Sequence, residues 1–178
     1  CDIIANDCHL TKLSLQGTSA TLEGLTMICT SPTQCLQDLT IVIDWNLQLN
    51  LLTEHLTNLE SLRVTIANNE VTNLGCLSSL KNLKTLFLSV WTNNSVDDDI
   101  LFILSGCKRL TSLSINGEVT DKSLSHLSEF CPQLETLEIA LNSDPKSVSD
   151  FTLDVGLSQL PNLRHLALNH FNVKEDGL

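Results

Sequence analysis

The chain has 178 residues, 42% of them hydrophobic, and a net charge of −11 from 21 acids against 10 bases. That is long and apolar enough for one folded domain with a substantial core, which excludes a disordered chain, and no apolar run reaches the ~18–20 residues of a membrane helix. The acidic balance weighs against a nucleic-acid backbone or an anionic membrane as the main partner.

The unit Leu-x-x-Leu-x-Leu recurs from end to end. It first reads Leu10-Leu13-Leu15, followed by Leu22, Leu25, Ile28 and Cys29 at helical spacing. The second unit, Leu36-Leu39-Ile41, is followed by Leu47, Leu49 and Leu51, whose alternation predicts a crossover that begins extended. The third unit is Leu59-Leu62-Val64 and the fourth Leu83-Leu86-Leu88. Asp97-Asp98-Asp99 then precedes Ile100, Leu101, Ile103 and Leu104, which predicts a helix with acids at its positive end and Gly106-Cys107 after it. The fifth, Leu110-Leu113-Ile115, leads to Thr120, a candidate N-cap beside Asp121, then to Leu124, Leu127 and Cys131-Pro132. The sixth, Leu134-Leu137-Ile139, carries an inserted polar loop from Asn142 to Asp150 that includes Pro145, and the seventh is Leu163-Leu166-Leu168. Subtracting successive first leucines gives steps of 26, 23, 24, 27, 24 and 29 residues.

Leu-x-Leu alternates with the strand period, so both side chains face one side of a short strand. A single strand cannot bury that face, but stacked units share a continuous apolar interior. Parallel strands need a crossover of about a dozen residues, which the second half of each unit supplies. The expectation is an α/β leucine-rich-repeat solenoid, a right-handed horseshoe with a concave parallel sheet. It forms a single domain over residues 1–178, with Leu113, Ile115, Leu137 and Ile139 buried. A chain that opens on Cys1 and stops inside a repeat is expected to be a fragment of a longer one.

The fifth repeat, Leu110-Thr111-Ser112-Leu113-Ser114-Ile115 with Val119-Thr120-Asp121, Leu124, Leu127, Cys131-Pro132 and Leu134, resembles the cysteine-containing repeats of F-box/leucine-rich-repeat proteins. Val96, Asp97, Ile100, Leu104 and Cys107 repeat the pattern in the fourth, and Val173, Asp176, Gly177 and Leu178 in the seventh. The resemblance implies a protein-binding scaffold, the substrate-recognition repeats of an F-box-type (SCF) ubiquitin ligase subunit in the cytoplasm or nucleus. The cullin-ligase adaptor would be a partner only if an F-box lies upstream. The alternative is a leucine-rich-repeat receptor or innate-immune sensor domain with no link to ubiquitin.

No catalytic constellation, cofactor motif or metal-ligand spacing is present, so neither an enzyme nor a cofactor or metal site is expected. His9, His55, His126, His165 and His170 are scattered, and Asp97-Asp98-Asp99 lacks the calcium-loop pattern. Seven cysteines is an odd number. Cys107 and Cys131, each three residues before a first leucine, read as buried, reduced packing positions. The triplet Asn93-Asn94-Ser95 is a glycosylation sequon that only a secreted protein would use.

Trp45 and Trp91 fall just past strands, where each either plugs the edge of the core or stands exposed as an anchor for a partner. Phe87 lies between two core leucines and should point away from the core. The outward row Ser14, Thr40, Arg63, Phe87, Ser114, Glu138 and Ala167, with Trp91, is the expected protein-contact surface on the concave face. Asp44, Asp97, Asp98, Asp99, Glu118, Asp121, Asp144 and Asp150 all follow strands, which predicts an acidic edge and a partner offering an apolar anchor and basic groups.

Overall fold

The computed structural model describes residues 10–19, 21–30, 35–44, 46–67, 73–92, 95–142, 148–149 and 156–170. Each Leu-x-x-Leu-x-Leu unit delivers one strand: β1 (Lys12–Ser19), β2 (Asp38–Ile43), β3 (Ser61–Ile66), β4 (Thr85–Val90), β5 (Ser112–Asn116), β6 (Thr136–Ala140) and β7 (His165–Asn169). They form one open parallel sheet in chain order. Every strand pairs only with its predecessor and successor, as stacked repeats require.

The crossovers are α1 (Leu22–Thr30), α2 (Asn46–His55), a 3-10 helix (Leu74–Ser79), α3 (Asp97–Gly106), and the short helices α4 (Asp121–Leu124) and α5 (Leu127–Phe130). No helix among the described residues is long and apolar enough to cross a membrane. Helix α2 corrects the extended crossover expected after the second unit. Its core stripe is Leu49, Leu52 and Leu56, spaced three and four apart as a helix demands, while Leu47 is 58% exposed. The alternating leucines that suggest a strand thus lie on different faces of a helix.

Register makes the repeats equivalent. Leu39, Leu62, Leu86, Leu113, Leu137 and Leu166 form one continuous row, and Ile41, Val64, Leu88, Ile115, Ile139 and Leu168 another. Leu113, Ile115, Leu137 and Ile139 are buried, as expected, in a single core shared with the inward faces of the crossovers. Leu166, in the same row on β7, is 40% exposed. No described strand pairs with the far side of β7. Between β1 and β2 the register shifts between Ser14 and Ser19.

Two repeating devices lock the stack. At each strand entrance one carbonyl accepts two backbone N–H groups from the next repeat: Gln37 from Glu60 and Ser61, Glu60 from Lys84 and Thr85, Lys84 from Thr111 and Ser112, Thr111 from Glu135 and Thr136. In five repeats the first leucine also closes a tight turn onto a residue three positions earlier: Leu59 onto Leu56, Leu83 onto Leu80, Leu110 onto Cys107, Leu134 onto Cys131, Leu163 onto Leu160. Cys107 and Cys131 therefore occupy a position that other repeats fill with leucine, and all five side chains are buried.

Candidate protein-contact face

The outer side of the sheet, away from the crossover helices, carries a middle row set by strand register: Ser14, Thr40, Arg63, Phe87, Ser114, Glu138 and Ala167. Alternation puts these side chains opposite the buried leucines on either side. Three of the seven are small hydroxyls, and the larger groups are confined to the centre and one end. The Arg63 guanidinium lies over the Phe87 ring, 3.9 Å from its centroid. Phe87 is half-buried under it. Further along, the Ser114 hydroxyl donates to Glu138 at 3.2 Å, and His165 Nε2 lies 3.5 Å from the same carboxylate. Lys12 pairs with Asp38 at 2.7 Å, and Lys84 with Glu60 at 2.6 Å.

Trp91 follows β4 directly and is 62% exposed, which removes the reading of it as a core plug. A strand end offers a side chain of that size no closed volume: the row that ends in Val90 already fills the core. Trp91 instead walls a cleft of about 300 Å³ at the C-terminal ends of β4 to β7, with Asn116, Ala140, Leu141, Asn142 and His170. The Asn142 amide donates to the Val90 carbonyl at 2.9 Å and ties the end of β6 back to β4. Asn142 stands three residues past the third apolar residue of its unit, as Trp91 does in its own. That equivalence was readable in the sequence and would have linked the two. Trp45, Asn93, Asn94 and the loop from residue 143 to 147 lie outside the described residues.

The acidic edge expected past the strands is weaker than its composition suggests. Asp97 and Glu118 are buried. Asp98 pairs with Lys122, and Asp121 accepts the Ser149 backbone N–H. Asp144 and Asp150 are outside the described residues.

Asp97 joins two repeats rather than forming part of a charged rim. Its Oδ1 accepts the Thr120 N–H at 2.9 Å, and its Oδ2 accepts the Thr120 hydroxyl at 2.6 Å and that of Ser95. Burial alone would raise its pKa, but hydrogen bonds from Ser123, Ser95 and Thr120 outweigh it and hold the carboxyl below its usual range. Asp99 accepts the Gly75 N–H at 2.9 Å from the preceding crossover, and burial pushes its carboxyl up. The acidic run therefore staples α3 to the repeats on both sides, beyond the helix-end role that the sequence suggested. Thr120 is the expected N-cap, its hydroxyl accepting the Lys122 N–H.

On the helix side, a cleft of about 410 Å³ opens between the 3-10 helix and α3, lined by Asn73, Gly75, Cys76, Asp99 and an exposed Phe102. Burial raises the Cys76 thiol pKa, which makes it a poor nucleophile at neutral pH. Cys107 and Cys131 are free and fully buried, with their thiols pushed up to about 11 by burial. The Cys107 thiol donates towards the Leu77 and Leu80 carbonyls at 3.4 and 3.5 Å, where only a small polar group could serve both. Among the described residues, no three His, Cys, Asp or Glu side chains come together as a metal site would need.

No protein-family model matches the chain. It is 30% identical over 87 residues to an F-box protein of Arabidopsis thaliana, a stretch that covers 49% of this chain and 13% of that protein. Among solved structures it is similar to InlP of Listeria monocytogenes, at 13% identity and a TM-score of 0.41 over 94% of this chain and 45% of that one.

Proposed function

We propose that the chain is a protein-recognition scaffold whose contact surface is the outer strand face centred on Arg63 and Phe87. More finely, its repeats are the substrate-recognition part of an F-box-type ubiquitin ligase subunit. The observation that carries the first statement is the face itself. The outer sheet surface places one stacked cation–aromatic pair across β3 and β4 and an exposed tryptophan just past β4, a composition typical of interface hot spots. A row that only sealed a core would have no use for them. The similarity to an F-box protein over 87 residues supports the finer statement, together with the cysteine-containing repeat pattern. In this reading the module does no chemistry, holds no cofactor and works inside the cell.

Co-purification decides the finer reading. The full-length gene product expressed in its own cells should bring down the cullin-ligase adaptor, and deleting the segment upstream of the repeats should abolish this. An adaptor-free preparation that still captures a partner through the repeats would leave the scaffold and remove the ligase role.

A further inference from the structure

The two lysines of the outer face are matched within the chain. Lys12 has Asp38, Lys84 has Glu60, and His165 faces Glu138. Among the described residues, Arg63 has no carboxylate partner, and neither does Arg164 immediately before β7; Arg63 is the one of the two that lies in the middle row. Across the ladder it meets Thr40 and Phe87. Its contact with Phe87 uses the face of the guanidinium and leaves the in-plane N–H groups for an acceptor. Stacking also fixes that fork before anything binds, which lowers the ordering cost of engaging it. A planar acceptor that answers two parallel N–H groups is a carboxylate.

A second feature lies in line with this one. Phe87 is on β4 and Trp91 directly follows it, four residues further along, and the cleft beside Trp91 is lined by Leu141, Ala140, Asn116 and Asn142. One strand spacing across and four residues along separate Arg63 from Trp91 by roughly 14 Å, about the span of four extended residues.

Resting on the protein-contact reading above, we infer that the occupant of this face is an extended segment of a partner protein that presents an aspartate or glutamate to Arg63. About four residues away, the same segment inserts an apolar side chain into the cleft beside Trp91. This reverses the sign expected from the acidic composition of the chain. Of the rim acids, Asp97 and Glu118 are buried and Asp98 pairs with Lys122, which leaves the Arg63 guanidinium as the charge in line with the Trp91 cleft.

The test is selection of a random-peptide display library on the immobilised full chain, as wild type and as Arg63→Glu, Arg63→Lys and Trp91→Ala, each checked for an unchanged thermal melt. Wild type should enrich an acidic residue with an apolar one about four positions away. Arg63→Lys should keep the acidic preference and Arg63→Glu should exchange it for a basic one. Trp91→Ala should lose only the apolar preference. A synthetic copy of the enriched peptide should bind Arg63→Glu about tenfold or more weakly by calorimetry, as loss of a charge-assisted contact implies. If Arg63→Glu fails to fold, Arg63→Gln replaces it and should lose the acidic preference. Enriched peptides with no acidic residue, or an acidic preference that survives Arg63→Glu, overturn this inference and leave the scaffold standing. No enrichment by wild type overturns both.

Discussion

Asp97 in the fourth repeat accepts both the backbone N–H and the side-chain hydroxyl of Thr120 in the fifth, at 2.9 and 2.6 Å. One carboxylate thus holds the start of two successive crossovers at a fixed spacing, and Thr120 passes the order on by capping α4. Replacing the carboxylate leaves the part-buried Thr120 donors without an acceptor, so Asp97→Ala should destabilise the chain by about 1–3 kcal/mol in a denaturant melt. The pH dependence follows from the direction of the shift. A carboxyl whose folded pKa lies below its ordinary 3.8 contributes fully above that value and loses its contribution as pH falls through the folded pKa. The gap in stability between wild type and Asp97→Asn should therefore narrow below pH 4; a gap independent of pH there would mean that the ionised form is not what the repeats bind.

Leu113 and Leu166 share a row of the sheet but not a burial state: the first is sealed and the second is 40% exposed. Leu113→Ala should cost about 2–5 kcal/mol, the range for deleting a large buried aliphatic side chain. Leu166→Ala should cost clearly less. Equal losses in two-state urea melts would show that β7 is covered in solution.

Gly106 ends α3 where a Cβ would fall 2.2 Å from the Ser78 carbonyl oxygen and 2.7 Å from its Cβ. Neither backbone can yield without moving a crossover, since both ends are pinned by core leucines. Gly106→Ala should lower stability by about 1–3 kcal/mol through overpacking, against the small gain that alanine normally brings to a helix. A neutral or raised melting temperature would show that the 3-10 helix is free to shift.

The buried thiols should be silent. With pKa values near 11, Cys29, Cys107 and Cys131 are about one part in a thousand thiolate at pH 8, against about one in ten for an ordinary thiol at 9.0. Among the described cysteines, alkylation of the native chain followed by mass spectrometry should mark the exposed Cys35 first and these three last. Because their folded pKa values are raised, their contribution to stability is complete below pH 9 and is lost as pH rises through 11. Under denaturing, non-reducing conditions the five described cysteines should all titrate as free.

Charge reversal at Arg63 combined with Phe87→Ala should weaken binding of the protein partner while nearly preserving the melting temperature. The pair is at the surface, where a cation–aromatic contact is worth about 0.5–1 kcal/mol. Unaltered affinity in this double variant would move the contact site away from the strand face.

The sequence by itself determined the periodic part of this protein. Leu-x-x-Leu-x-Leu states which residues face inward on every strand, and its spacing states that the strands are parallel and joined by crossovers. The middle row from Thr40 through Arg63, Phe87, Ser114 and Glu138 could be written down in register, because a period-two strand leaves one choice of face. The burial of Cys107 and Cys131 was legible for a similar reason: they recur at a fixed offset from the leucines. What only the tertiary structure decided lies between the repeats. Whether Leu47, Leu49 and Leu51 form a strand or a helix depends on which face the neighbouring crossover covers. The alternation of three residues cannot express that choice. Asp97 and Glu118 read as surface charges, since nothing local shows that the next repeat closes over them or that Thr120 will bring donors to one. Trp91 could be plug or anchor until the ends of β5, β6 and β7 arrived beside it and left a cleft rather than a lid. Repeat identity is a property of one unit and is written in its own residues. Burial, charge pairing and clefts arise where units of unequal length meet, and no single unit carries that information.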